Sequence, residues 1–237
     1  DGVTATALLS NYLTSRKADC LYYIPDGFNQ GYGMNEDAVK KLYNEGVKLI
    51  ITVDNGISAI KEIQLAKSLG MDVVVTDHHL PGDVLPNADA VVDPHRKDCP
   101  SAFKEICGAE VAFRLICVME NKEPEELLPF FADILSLAVV GDIMPLTAEN
   151  RSIVKLEEKK LKTAPATGLS ALMSVAGLEK KSLDATKIAF TLTPRINASG
   201  RMGDAKRAVE LLISQNMMSA LGIANEIDSD NSLRQQT

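Results

Sequence analysis

Two periodicities alternate along the first hundred residues. Short aliphatic and β-branched runs at 47–53, 72–76 and 90–92 have the length and composition of buried strands. Between them, apolar side chains recur every three or four residues, the spacing of amphipathic helices. One such helix covers 1–13, with Leu8, Leu9, Tyr12 and Leu13 on one face and Asp1 near its N-terminus. A second runs from the N-cap candidate Asn35 to Asn44 and stops at Gly46; a third covers 57–69 and closes at Gly70. A further short strand is expected at 20–24, stopped by Pro25-Asp26-Gly27. Strands alternating with helices in this way predict βαβ units and a parallel sheet.

After residue 100 the pattern becomes helical. Helices are expected at 108–120, at 127–140 (almost wholly apolar, hence central), at 149–162, and near 168–176 and 184–191. A polar stretch from Thr193 to Arg201 reads as a loop, and 204–236 as one or two more helices. The fold class that follows is α/β: a parallel sheet flanked by helices, then a mostly helical half and the start of a connecting helix. Residues 1–146 form the α/β core, and 147–237 a helical extension packed on the same domain. A helix starting at Asp1 lacks the strand that should feed it, and 232–236 looks like a helix cut in progress. The sequence therefore reads as a fragment of a longer polypeptide.

Composition narrows the class without changing the fold. Of 237 residues, 46% are hydrophobic and 24% charged, as in ordinary globular proteins. No apolar run approaches the roughly 20 residues of a membrane span, and the start is not a signal peptide. Cys20, Cys99, Cys107 and Cys117 show no C-x-x-C spacing, so neither a zinc ribbon nor a redox dithiol is indicated, and a reducing cytoplasm is the expected location. The net charge of −7 argues mildly against a surface coated for nucleic acid. Bound cations would reverse that argument locally.

The chemistry collects at strand ends. In open parallel sheets, functional groups gather beyond the carboxyl ends of the strands. There lie Asp54, then Asp77 with His78 and His79, then Asp93. Carboxylates with imidazole suit Mn²⁺ or Mg²⁺, with Zn²⁺ admissible, and two such ions can clamp a scissile phosphate and activate a water. Blander readings stand beside this one. His78 and His79 can be surface-loop residues, Asp54 in Asp-Asn-Gly an Asx turn, and Asp93 before Pro94 turn chemistry. Asp142 is harder to set aside, because an anion at a helix C-terminus is unfavourable without a nearby cation. Arg195 and Arg201 suit phosphate recognition and Gly200 a close backbone approach, although a solvated loop is the simpler account of that stretch. A cysteine nucleophile would have only His95 as its base.

Taken in order, Val-Asp-Asn-Gly, Thr-Asp-His-His, Val-Val-Asp-Pro-His, Gly-Asp-Ile-Met-Pro-Leu with Glu-Asn-Arg, and Asn-Ala-Ser-Gly-Arg resemble the motifs of the DHH phosphoesterase superfamily, and within it the RecJ-like single-stranded-DNA-specific exonucleases. Asp1-Gly2-Val3-Thr4 looks like the end of that family's first motif. The resemblance implies a two-metal Mn²⁺/Mg²⁺ site with Asp1, Asp54, His78 and Asp142 as ligands and Asp54 bridging. It makes His79 the residue facing the phosphate and Asp77 a support for the triplet's geometry. Arg195, Asn197, Gly200 and Arg201 would hold the DNA. The implied reaction is 5′→3′ hydrolysis of single-stranded DNA in repair and recombination. Implied partners are a single-strand-binding protein or a helicase, together with a C-terminal DHH-associated domain of the same polypeptide. A phosphodiesterase acting on oligoribonucleotides or cyclic dinucleotides, and a non-catalytic nucleic-acid-binding relative, are the alternatives. The chain departs from the pattern it resembles at Gly27 and Gln30, where RecJ-like proteins typically carry Arg and Glu; if that arginine grips a 5′ end, the resemblance does not carry end-specificity over.

Overall fold

Three strands, Leu49–Val53 (β1), Asp72–Thr76 (β2) and Ala90–Val92 (β3), form a parallel sheet in the order β1-β2-β3. The computed structural model describes residues 1–25, 33–161, 165–179, 183–201 and 205–236, so Gly27 and Gln30 lie outside the described residues. Alternation along the strands divides the sheet between two layers. Ile50, Val73 and Val75 pack with Val39 and Leu42 of α2 (Glu36–Asn44) and with Ile63 and Ala66 of α3 (Ile60–Ser68). Ile51 and Val53 face the other way, onto α1 (Gly2–Ser15), α4 (Gly108–Glu120) and α5 (Pro124–Gly141). Asn35 caps α2 as expected, its side chain accepting from the Ala38 N–H at 2.8 Å. Helix α5 starts a turn earlier than its apolar run, because Pro124 opens it and Glu126 accepts from the Glu123 N–H.

The expected strand at 20–24 does not form. Within the sheet β1 pairs only with β2, and residues 20–25 run along the far side of a groove of about 1090 Å³ from β1. Three side chains of the run are spent on packing, Tyr22 and Ile24 in the core of the helical half and Tyr23 in the core beside β1, while Cys20 and Leu21 are exposed.

That helical half comprises α6 (Ala148–Leu161), α7 (Thr167–Val175), α8 (Ala185–Lys187), a π-turn at Ile188–Leu192, α9 (Thr193–Arg201), α10 (Ala205–Ile213) and α11 (Met217–Gln236). Its core of Leu172, Ile188, Leu192, Leu211 and Ile227 also takes in Ala7 of α1 and Leu137 of α5. The loop expected at 193–201 is therefore a helix. The Thr193 N–H reaches back five residues to the Ile188 carbonyl, and Pro194 falls in the first turn of α9, where a missing N–H costs little. Thr193, Ile196, Ala198 and Ser199 are buried, Arg195 is half-buried and Asn197 is exposed.

Two tests of this packing follow. Gly168 of α7 lies so close to α10 that an added Cβ would land on the Leu211 carbonyl oxygen. Gly168→Ala should lower stability by about 1–3 kcal/mol, the usual size of an overpacking penalty; a thermal melt indistinguishable from the parent's would contradict the contact. Glu110, 2% exposed in the first turn of α4, accepts from the Cys107 N–H at 3.0 Å, and burial pushes its carboxyl up to about 7. The folded chain keeps this proton while the unfolded chain releases it near 4.5, so stability falls as pH rises from about 4.5 to 7, on the order of 3 kcal/mol in all. Glu110→Gln retains an acceptor and removes the titration. Its stability gain in urea melts should be large at pH 8 and vanish at pH 4.5, and a gain that did not change with pH would refute the account.

Candidate active site

Parallel register builds the centre of the site. Val53 is level with Thr76, and Thr76 with Val92, so the next residues, Asp54, Asp77 and Asp93, come abreast at the carboxyl ends of the three strands. Each is then held differently. Asp54 takes a left-handed backbone conformation (φ 59°), which aspartate tolerates better than most residues. Around it, Thr52 Oγ1 donates to the Asn55 carbonyl and Asn55 Nδ2 to the Val53 carbonyl.

Asp77 is 1% exposed and holds the triplet in shape. Its Oδ2 accepts from the Ile57 N–H at 2.9 Å. Its Oδ1 accepts from the His78 N–H at 2.8 Å and the His79 N–H at 3.2 Å, and lies 2.7 Å from His79 Nδ1. A proton on Nδ1 shared with this carboxylate leaves His79 Nε2 free, on a ring that is 61% exposed at the edge of the groove. Asp93 is buried, and its Oδ1 accepts from the His95 N–H at 2.7 Å, the turn role expected for it.

Asp1, Asp54, His78 and Asp142 come together from four separate elements. His78 Nε2 is 3.0 Å from Asp54 Oδ1, 3.6 Å from Asp142 Oδ2 and 3.7 Å from Asp1 Oδ2. Two sets of donor atoms are each close enough to share an ion: Asp54, His78 and His79, and Asp1, His78 and Asp142. Despite their closeness, His78 Nε2 and Asp54 Oδ1 are misaligned for a hydrogen bond, and both are buried without a hydrogen-bonding partner. Burial works to lower the His78 pKa, but the adjoining Asp54 carboxylate, with Asp142 and Asp77, outweighs it and raises the imidazole above its ordinary value. Burial also raises Asp142, against the opposing pull of His78. Two buried atoms of complementary donor chemistry, left unpaired amid several carboxylates, fit a divalent cation bound by hard oxygen and imidazole ligands.

Asp1 is placed by something the residue pattern does not reveal. Its Oδ2 accepts from the Gly108 N–H and its Oδ1 from the Ala109 N–H at 3.1 Å, so the carboxylate sits on the N-terminus of α4, the favourable end of a helix dipole. Gly108 is needed for a second reason, because a Cβ there would fall 2.6 Å from Asp54 Cβ. A glycine opening a helix was the only available signal, and it is a weak one. Asp142 caps α5, where a Schellman closure (Ile143 N–H to Val140 O, Met144 N–H to Val139 O) sets Ile143 at φ 58°. Asn150, wholly buried, bonds through Nδ2 to the carbonyls of Glu105 and Pro145 and thus ties the entry of α4 to the turn carrying Asp142.

The residues of α9 separate from one another. Asn197 is exposed and lines the groove. Arg195 is engaged elsewhere, its Nε bonded to Asp228 Oδ1 and its Nη1 to the Thr191 carbonyl, both at 2.7 Å. Gly200 and Arg201 belong to the helix, and their side-chain surroundings lie outside the described residues.

The chain is 40% identical to the single-stranded-DNA-specific exonuclease RecJ of Bacillus subtilis over 100% of its own length and 30% of that protein's, and 37% identical to the Escherichia coli RecJ, over 100% and 43%. It thus spans less than half the length of these curated relatives. Among solved structures it is similar to exonuclease RecJ bound to manganese (TM-score 0.87, 32% identity, 99% of this chain and 59% of that one). It is also similar to the Mn²⁺ complex of RecJ from Thermus thermophilus (TM-score 0.82, 31% identity, 99% and 34%). The N-terminal domain of the DHH family matches residues 1–139, a stretch that contains the Asp-His-His triplet and all its carboxylate neighbours except Asp142. With the family's triplet at the end of β2 and this match over more than half of its length, the chain belongs to the DHH family.

Proposed function

We propose that this chain provides the catalytic face of a Mn²⁺- or Mg²⁺-dependent phosphodiesterase that removes nucleotides from the 5′ end of single-stranded DNA, acting in repair and recombination. The observation that carries the reading is the His78 cluster: one imidazole nitrogen within 3.7 Å of three carboxylates, with that nitrogen and Asp54 Oδ1 buried and unpaired. The relatives' names and the manganese and magnesium in similar RecJ structures support the substrate and the ions.

Asp1, Asp54, His78 and Asp142 would hold the ions; His78 is the residue common to the two sets, and a bridging part for Asp54 rests on the family resemblance. Bound there, divalent ions supply Lewis-acid polarisation of the phosphate and lower the pKa of water. The protein's own part is positional. Asp77 fixes His79 through Nδ1 and so leaves Nε2 to face the substrate, where it accepts a proton in the neutral ring and donates to the phosphodiester once the ring is doubly protonated. Asn197, with Gly200 and Arg201 farther along α9, forms the DNA-holding side. Arg195 serves that side indirectly, by anchoring α9 to α11 through Asp228. Residues 147–237 would then be an extension of the same domain, and a following domain of the polypeptide would close the groove over the DNA. A cytoplasmic setting and partnership with a single-strand-binding protein or a helicase belong to the same proposal.

The test uses the full-length protein with Mn²⁺ and three substrates: 5′-labelled single-stranded DNA, a dinucleotide and a cyclic dinucleotide. Mononucleotides released from the DNA are expected; cleavage of the small substrates alone would replace the DNA reading, and binding without turnover would leave a nucleic-acid-binding protein. EDTA should abolish cleavage and Mn²⁺ restore it. His78→Ala and Asp142→Ala should each lower kcat at least about 100-fold, and full activity in either would remove that residue from the site. Asp77→Asn should cost about 10–100-fold, the usual loss when a supporting partner is weakened.

A further inference from the structure

Strand β1 has one paired edge and one open edge. Towards β2, the Asp72 N–H donates to the Lys48 carbonyl at 2.8 Å, and Leu49 is level with Asp72. Alternate residues of a parallel strand serve the same neighbour, so Ile50 and Thr52 bond β2 while the backbone groups of Leu49 and Ile51 point away from it. No backbone group among the described residues pairs with those of Leu49 or Ile51. The run Leu49-Ile50-Ile51-Thr52-Val53 also lacks the usual protections of an edge, having no charge, no proline and no bulge. An open aliphatic edge of this kind recruits another strand.

The groove beside it has the form of a slot for one. It follows β1 along its whole length, from Val47 to Asp54, with residues 18–25 as the opposite wall. Leu9 and Leu13 of α1 line it from one face of the sheet, and Val39 and Leu42 of α2 from the other. An extended segment lying there would thus meet apolar side chains on both faces, as an inner strand of a parallel sheet does. Away from the ion site, the charged residues lining the groove among those described are Asp19, Glu45 and Lys48, a poor match for a nucleic-acid backbone. Asp1 and Gly2 line the end beside Asp54, where a Cβ on Gly2 would stand 3.2 Å from Asp54 Oδ2. Asp54 follows β1, so this is the carboxyl end of the slot. We infer that the slot holds the residues immediately before Asp1 in the longer polypeptide, as a strand parallel to β1 that hands the chain to α1. Its side chains are apolar towards both helix layers, and it sets Asp1 at the ion site from a strand end, as β1 sets Asp54. The inference stands independently of the phosphodiesterase reading.

Amide exchange resolved to single residues, on the full-length protein without metal or DNA, tests whether the slot is filled. The Leu49 and Ile51 N–H groups should exchange at least about 1000-fold more slowly than in an unfolded chain, alongside those of Ile50 and Thr52. Fast exchange at Leu49 and Ile51 beside protected Ile50 and Thr52 would overturn the inference, as would protection that appears only when single-stranded DNA is added. Disulfide trapping then identifies the occupant. In full-length protein carrying Cys20→Ser and Ile51→Cys, a cysteine is placed singly at each of about six positions before Asp1, the usual length of a strand. Neighbouring strands lie about 4.8 Å apart, within disulfide reach, so an intrachain bridge is expected at one position level with Ile51. Bridges joining two chains would assign the slot to a second copy, and no bridge at any position would leave the preceding segment elsewhere; either result overturns the inference.

Discussion

Negative charge crowded around one imidazole is the constraint this structure is built to meet. Asp1, Asp54 and Asp142 all lie within 3.7 Å of His78 Nε2, and carboxylates gathered around one point repel one another where water is scarce. The chain opposes that repulsion separately at each group. Asp1 is neutralised in part by the amides of α4, Asp54 is confined by a left-handed backbone and the small Gly108, and Asp142 is locked by the closure at the end of α5. Asp142 is the costliest placement, since the carboxyl end of a helix repels an anion. Elements far apart in sequence are thus committed to one small volume, and the burial of Asn150 between two of them shows how far the scaffold serves it.

Much of this was legible in the sequence because parallel sheets leave a plain signature. Aliphatic runs ending in Asp54, Asp77 and Asp93 give the strands, and right-handed βαβ connection gives the shared edge at which those residues meet. The helices at 108–120 and 35–44 were equally clear, the first from its apolar spacing and the second from its capping asparagine. What could not be read was tertiary. Residues 20–24 have the composition of a strand, but strand formation needs a partner edge at hydrogen-bonding distance, and Tyr22, Tyr23 and Ile24 are taken up by two cores instead, while Cys20 and Leu21 stay exposed.

The polar stretch opening with Thr193 failed for the opposite reason. Proline, asparagine, serine and glycine in close succession suggest a loop, yet a π-turn delivers the chain to Pro194 in a helical conformation, and small residues let α9 pack closely on its neighbours. In the same way Arg195 has the look of a phosphate ligand in the sequence and the contacts of a strut in the fold. Docking of Asp1 on α4 joins residues more than a hundred positions apart, beyond the reach of any local pattern.

Asp77 shows how neighbouring acids at one sheet edge can part ways. A carboxylate has about four lone-pair positions to offer. At Asp77 three donors crowd Oδ1, a fourth occupies Oδ2, and the side chain is sealed from solvent. It therefore has almost no capacity left for a cation, although Asp54 beside it in the sheet is left with an oxygen unclaimed. The same functional group, one strand over, has become in effect a piece of the backbone, and selectivity for where an ion can settle arises from which lone pairs the fold has already consumed.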